Sequence, residues 1–174
     1  MRKKRLLQVT AALLCAVILS ACGGAPADAD YTCTVSISCA TILDNMDQCA
    51  ESKKELVPAD GVILPPTEVA FAEGESAFDV LQRVCRDNGI HLESKFTPVY
   101  NSAYIQGIHN IYEFDVGKLS GWMYAVNDWF PNYGCSLYQV QDGDVIRWVY
   151  TCDLGADVGG GQAAGGGQQE GAST

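Results

Sequence analysis

Residues 121–151 read GWMYAVNDWFPNYGCSLYQVQDGDVIRWVYT, and this stretch decides the fold class. Trp122, Tyr124 and Val126 alternate with Met123 and Ala125, so they share one face of a strand. Ile146, Trp148 and Tyr150 do the same on a second strand. Facing aromatic stripes of this kind are normally core or cross-strand pairs. Between the stripes lies the turn signal Gln141-Asp142-Gly143-Asp144. An Asp-Gly turn predicts a hairpin whose arms are residues 135–140 and 145–152. Trp129, Phe130, Pro131 and Tyr133 fall outside both alternating runs and read as a turn rich in aromatics.

Upstream, Cys33-Thr-Val-Ser-Ile-Ser-Cys39 alternates apolar with polar and predicts a half-buried strand with Cys33, Val35 and Ile37 inward. Residues 41–54 are weakly helical or irregular. Residues 62–64 and 69–71 read as two short extended pieces separated by Pro65-Pro66. Gly74-Glu75-Ser76 opens the one strong helix, with Ser76 as cap and Asp79 completing a capping box. Phe78, Leu81, Val84 and Cys85 recur on one helical face, and Asn88-Gly89 marks the exit. Further strands are expected near His91, at 103–105, at 122–126, at 136–140 and at 145–151. Strands, one main helix and more strands describe an α+β domain: a small mixed β-sheet with one main covering helix.

The first residues, MRKKRLLQVTAALLCAVILSACGG, combine a basic start, a short apolar run and small residues. That order reads as an export signal over residues 1–21, too short in its apolar part to remain as a membrane span. Leu19-Ser20-Ala21-Cys22 resembles the lipobox of bacterial lipoproteins, which implies lipid on Cys22 and a chain held at the extracytoplasmic face of the cell membrane. Residues 22–30 read as a flexible spacer, 31–153 as the folded domain, and 154–174 as a Gly/Gln/Ala-rich tail too polar to bury a core. Without the signal, seven basic side chains face 21 acidic ones, a balance of about −14. Such a charge opposes nucleic acid as a partner.

Cys33, Cys39, Cys49, Cys85, Cys135 and Cys152 remain after Cys15 and Cys22 are set aside. An even set in an exported domain suggests disulfides, and fifteen pairings are formally open. The expected hairpin brings Cys135 within reach of Cys152. Cys39–Cys49 is the second expected pair, leaving Cys33 and Cys85 to join strand to helix.

Catalytic signals are thin. Gly74-Glu75-Ser76-Ala77-Phe78 lacks the final glycine of a hydrolase elbow, and Ser76 reads better as a cap. His109 and Glu113 are four residues apart but have no evident third ligand. Asp142-Gly143-Asp144 lacks the other ligands of a calcium loop. No phosphate loop or dinucleotide fingerprint occurs. No enzyme activity, metal or cofactor is expected. Binding is expected instead at Trp122, Tyr124, Trp129, Phe130 and Tyr133, since large, stiff, half-polar rings suit a binding surface. The turn aromatics are either tucked back as a lid or offered to a partner.

Ser120-Gly-Trp-Met-Tyr-Ala-Val-Asn127, followed by Tyr138-Gln-Val-Gln-Asp-Gly-Asp-Val-Ile-Arg-Trp-Val-Tyr150, resembles the transcobalamin-like C-terminal domain family. Phe78-Asp-Val-Leu81 and Tyr104-Ile-Gln-Gly-Ile108 fit in order upstream. The resemblance covers most of residues 69–150 and implies a β-grasp-like module. In cobalamin carriers that module forms the smaller half of the vitamin site. The larger, helical half has no counterpart in this chain. Two functions follow as expectations: a surface-anchored binding module for a small ligand (a corrinoid being one candidate) or a glycan, or a structural or protein–protein interaction module of the cell envelope with no small-molecule ligand.

Overall fold

A computed structural model of the chain describes Pro26 and residues 29–160. Lipidation at Cys22, the signal and most of the tail lie outside the described residues.

Among the described residues seven strands form two sheets, and one α-helix packs on them. Strands β1 (Tyr31–Ser38), β2 (Val62–Phe71), β6 (Gly121–Val126) and β7 (Val145–Thr151) make a four-stranded sheet in the order β2-β1-β7-β6. Its β1–β7 pair is parallel and the other two are antiparallel, so the sheet is mixed. Strands β3 (Leu92–Thr97), β4 (Ser102–Ile108) and β5 (Ile111–Tyr112) form a second, antiparallel sheet that the sequence did not announce as separate. The molecule is a sheet-dominated α+β fold.

Alternation drives the main sheet. Cys33, Val35 and Ile37 are buried on one face of β1 while the residues between them are half-exposed. On β6 and β7 the register pairs Trp122 with Tyr150 and Tyr124 with Trp148. The first pair meets edge-to-face at 5.3 Å and the second stacks at 5.4 Å between ring centres. Helix α1 (Ala77–Asp87) covers this core with Val80, Leu81, Val84 and Cys85. Its start is the expected capping box: Asp79 N–H donates to Ser76 Oγ at 3.2 Å, and Ser76 N–H donates to Asp79 Oδ2 at 2.9 Å. A cap of this kind contributes about 1 kcal/mol. Arg83 is buried on the same helix. It is held by an ion pair with Glu75 and by a 2.8 Å hydrogen bond from Nη2 to Ala70 O.

Three expectations change. The two short pieces around Pro65-Pro66 are one continuous strand, β2. The prolines are tolerated because β2 is an edge strand, and the β1–β2 register shifts between Val35 and Ile37, opposite them. The hairpin of 135–140 with 145–152 does not form, because β6 and β1 flank β7 on both sides. Residues 135–137 make a 3-10 turn instead, and the following backbone docks on the start of α1. Ala77 N–H donates to Tyr138 O at 2.9 Å, and Val140 N–H donates to Glu75 O at 3.0 Å. Finally, order continues past 153. Residues 156–158 form a 3-10 turn, and Asp157 accepts hydrogen bonds from Thr151 Oγ1 and, at 2.7 Å, from Cys152 N–H.

Without the hairpin, the reason for a Cys135–Cys152 pair is gone. Cys135 sits near Ala103, its Sγ 3.7 Å from that carbonyl, while Cys152 has Thr41, Cys49 and Asp157 as neighbours. The structure draws no bond for Cys39–Cys49 or Cys33–Cys85 either, and the six cysteines are described here as thiols. Burial pushes Cys33, Cys39, Cys85 and Cys135 up to about 12. A thiol so raised is not a nucleophile at neutral pH. The linkage has a definite sign. The unfolded chain loses these protons near pH 9 and the folded chain only near 12, so stability is full below 9 and falls across that window. Denaturation midpoints of reduced protein are expected to drop steadily from pH 8 to pH 11. A flat profile would contradict buried thiols.

Candidate functional site: an aromatic cleft between the sheets

The site begins at a two-residue turn. Val126 and Trp129 exchange backbone hydrogen bonds at 2.8 and 2.9 Å around Asn127 and Asp128. Both central residues have positive φ, 49° and 67°. Asn and Asp tolerate that geometry better than most side chains, which is why this pair fits a tight hairpin turn. Asn127 is pinned further. Its Nδ2 donates to Asp144 Oδ1 at 2.7 Å, and its Oδ1 accepts from Val145 N–H at 2.9 Å. Asp144 is buried and also accepts from Tyr138 Oη at 2.9 Å and Gln141 N–H at 2.8 Å. Asp144 is therefore a part-buried hydrogen-bond junction at the end of the Asp-Gly-Asp turn.

Beyond the turn the chain runs back along the molecule to Gly134. Tyr124 Oη donates to Tyr133 O at 3.0 Å and holds this segment against β6. Gly134 is needed there, since a Cβ would fall 2.5 Å from that of Ser102. Between this segment, β6 and the β3–β4 hairpin lies a cleft of about 500 Å³. One wall carries Tyr100, Ala103, Tyr104 and Ile105; the other carries Trp122, Met123 and Tyr124, with Trp148 also in the lining. The volume is that of an ordinary small-ligand site. Tyr104 Oη donates to Glu113 at 2.6 Å; although the ring is largely exposed, partial desolvation of the hydroxyl together with this bond and the Glu113 charge pushes it up to about 12. Burial likewise raises Tyr124. Both are neutral donors at physiological pH. The Trp148 indole is buried, and its Nε1–H has no hydrogen-bond partner among the described residues.

The expected site residues divide. Trp122, Tyr124 and Tyr133 line the cleft. Trp129 is 51 % exposed and stands outside the lining, edge-to-face with Tyr133 at 6.0 Å. Phe130 is buried, packs toward Gly160 and stands outside the cleft lining. The β3–β4 wall was missed. Tyr100 and Tyr104 are aromatic and exposed, but no strict alternation flagged their hairpin. Among the described residues no three His, Cys, Asp or Glu side chains group to hold a metal ion.

Residues 74–152 match the model of a domain of unknown function, DUF4430. The match begins just before α1 and ends after β7, so it takes in both walls of the cleft. No curated protein matches the chain. Among solved structures, haptocorrin in complex with Cbi is similar at 14 % identity and a TM-score of 0.48, over 71 % of this chain. This chain spans only 26 % of that haptocorrin chain. A candidate metal-binding protein from Ruminococcus gnavus ATCC 29149 is similar at 15 % identity and a TM-score of 0.42, over 70 % of this chain and 97 % of that one.

Proposed function

We propose that this chain is a non-catalytic binding module, held by lipid on Cys22 at the extracytoplasmic face of the cell membrane. Its site is the cleft between β4 and β6. The observation that carries the reading is the cleft itself: about 500 Å³ walled by aromatic rings from two sheets. Rings of this kind suit a small molecule with a flat apolar face. The resemblance to the transcobalamin-like family makes a corrinoid the first candidate.

Calorimetric titration of the full chain with cyanocobalamin and with a panel of aromatic amides tests this. Tyr100 is 73 % exposed and lines the cleft, so Tyr100→Ala is expected to change stability by under about 0.5 kcal/mol. The same change is expected to weaken binding by about tenfold if the ring is a main contact. Unchanged affinity in that variant would move the site elsewhere.

The anchor has its own test. Cys22→Ser is expected to abolish incorporation of labelled fatty acid and to leave precursor in the membrane fraction. Equal labelling of wild type and variant would end the lipid assignment, while leaving the cleft untouched.

A further inference from the structure

Among the described residues, no Lys, Arg or His lines the cleft, and no Asp or Glu does either. An anion entering it gives up water and meets no cation, which is costly for an unpaired charge. Several side-chain donors of the lining are already committed. Trp122 Nε1–H donates to Ile111 O at 2.8 Å, Tyr124 Oη to Tyr133 O at 3.0 Å and Ser102 Oγ to Ala103 O at 3.3 Å. The Trp148 indole N–H has no partner, but that ring is 2 % exposed and stacked on Tyr124.

Tyr104 differs from these. Its ring is 45 % exposed and lines the cleft, and its O–H is given to Glu113, a residue outside the lining. A phenol that has donated its proton keeps its oxygen lone pairs as acceptors. Here the recipient is a carboxylate, so the bond is charge-assisted and polarises the phenol oxygen. Glu113 is fixed beside β4, since its own N–H donates to Gln106 O at 2.9 Å. Its charge therefore stands behind the Tyr104 wall, where it strengthens the phenol as an acceptor and repels an anion.

We propose that the Tyr104–Glu113 pair selects the ligand: the cleft takes a small flat molecule that places an N–H or O–H on Tyr104 Oη, and it turns carboxylates away. This rests on the cleft being the binding site and names the chemistry that the site accepts. A carboxamide on a flat ring is the simplest such molecule. Its ring lies among the aromatic side chains and its N–H meets the polarised oxygen. The matching carboxylate has no N–H to give and faces the Glu113 charge with no cation in the lining, so discrimination comes from a repulsive element as well as an attractive one.

The test uses the full chain and three compounds that share one ring system: 2-naphthamide, its N,N-dimethyl derivative and 2-naphthoate. Calorimetry reads affinity, and amide shifts at Tyr100, Trp122 and Met123 read the place of binding. At pH 7, 2-naphthamide is expected to bind at least about tenfold more tightly than either of the others. Tyr104→Phe keeps the ring and removes the acceptor. It is expected to abolish the preference for 2-naphthamide over the dimethyl form, and Glu113→Gln to reduce it. A preference that survives in Tyr104→Phe would overturn the assignment and leave the cleft reading intact. Equal binding of 2-naphthoate in the cleft would do the same. Binding by none of the three would count against both the pair and the cleft.

Discussion

Replacing Trp148 with alanine is expected to destabilise the domain by about 3–5 kcal/mol, the range for deleting a large buried aromatic. Trp148 is 2 % exposed, stacks on Tyr124 at 5.4 Å between ring centres, and pairs across the ladder with it. Trp129→Ala is the contrast. That ring is half in solvent and touches mainly Tyr133, so its loss is expected to cost under about 1 kcal/mol. Urea denaturation of both variants gives the comparison without any ligand. If Trp129→Ala costs as much as Trp148→Ala, the 129–134 segment is a packed lid and not a free rim.

The second large effect belongs to Asp144. Its carboxylate accepts hydrogen bonds from Asn127, Tyr138 and Gln141. Asp144→Ala removes the acceptor shared by exposed Asn127 and Gln141 and half-buried Tyr138, with an expected loss of about 1–3 kcal/mol. Because Asn127 shapes the turn that positions Trp129, the same variant is expected to loosen residues 127–133. Faster amide exchange at Trp129, beyond the global change, is the signature. A loss below about 1 kcal/mol would show that the junction is satisfied by water instead.

How much of this was legible in the sequence follows from where each signal comes from. β1, β6, β7 and α1 were readable because their partners lie on their own faces. Alternation in Cys33, Val35 and Ile37, or the Ser76–Asp79 box, encodes local geometry that burial then reinforces. Residues 136–140 misled because they look like a strand beside an Asp-Gly turn. Their backbone groups instead go to Glu75 and Ala77, more than sixty residues away in sequence, and no local pattern reveals that. The reason for a Cys135–Cys152 pair fell with the same hairpin. Trp122, Tyr124 and Tyr133 were singled out because aromatic density alone flags them, and all three line the cleft. Their opposite wall comes from β4 and the preceding turn, whose sequence carries mostly polar residues on β3. The cleft exists only because a second sheet stands opposite the edge of the first, a tertiary fact.

Binding in the space between β4 and β6 is read by mapping amide shifts of the isotope-labelled full chain against an aromatic amide library. The tightest binder is expected to move Tyr100, Ala103 and Ile105 on one wall together with Trp122, Met123 and Tyr124 on the other. Shifts centred on any other surface, with these residues unmoved, would contradict binding there.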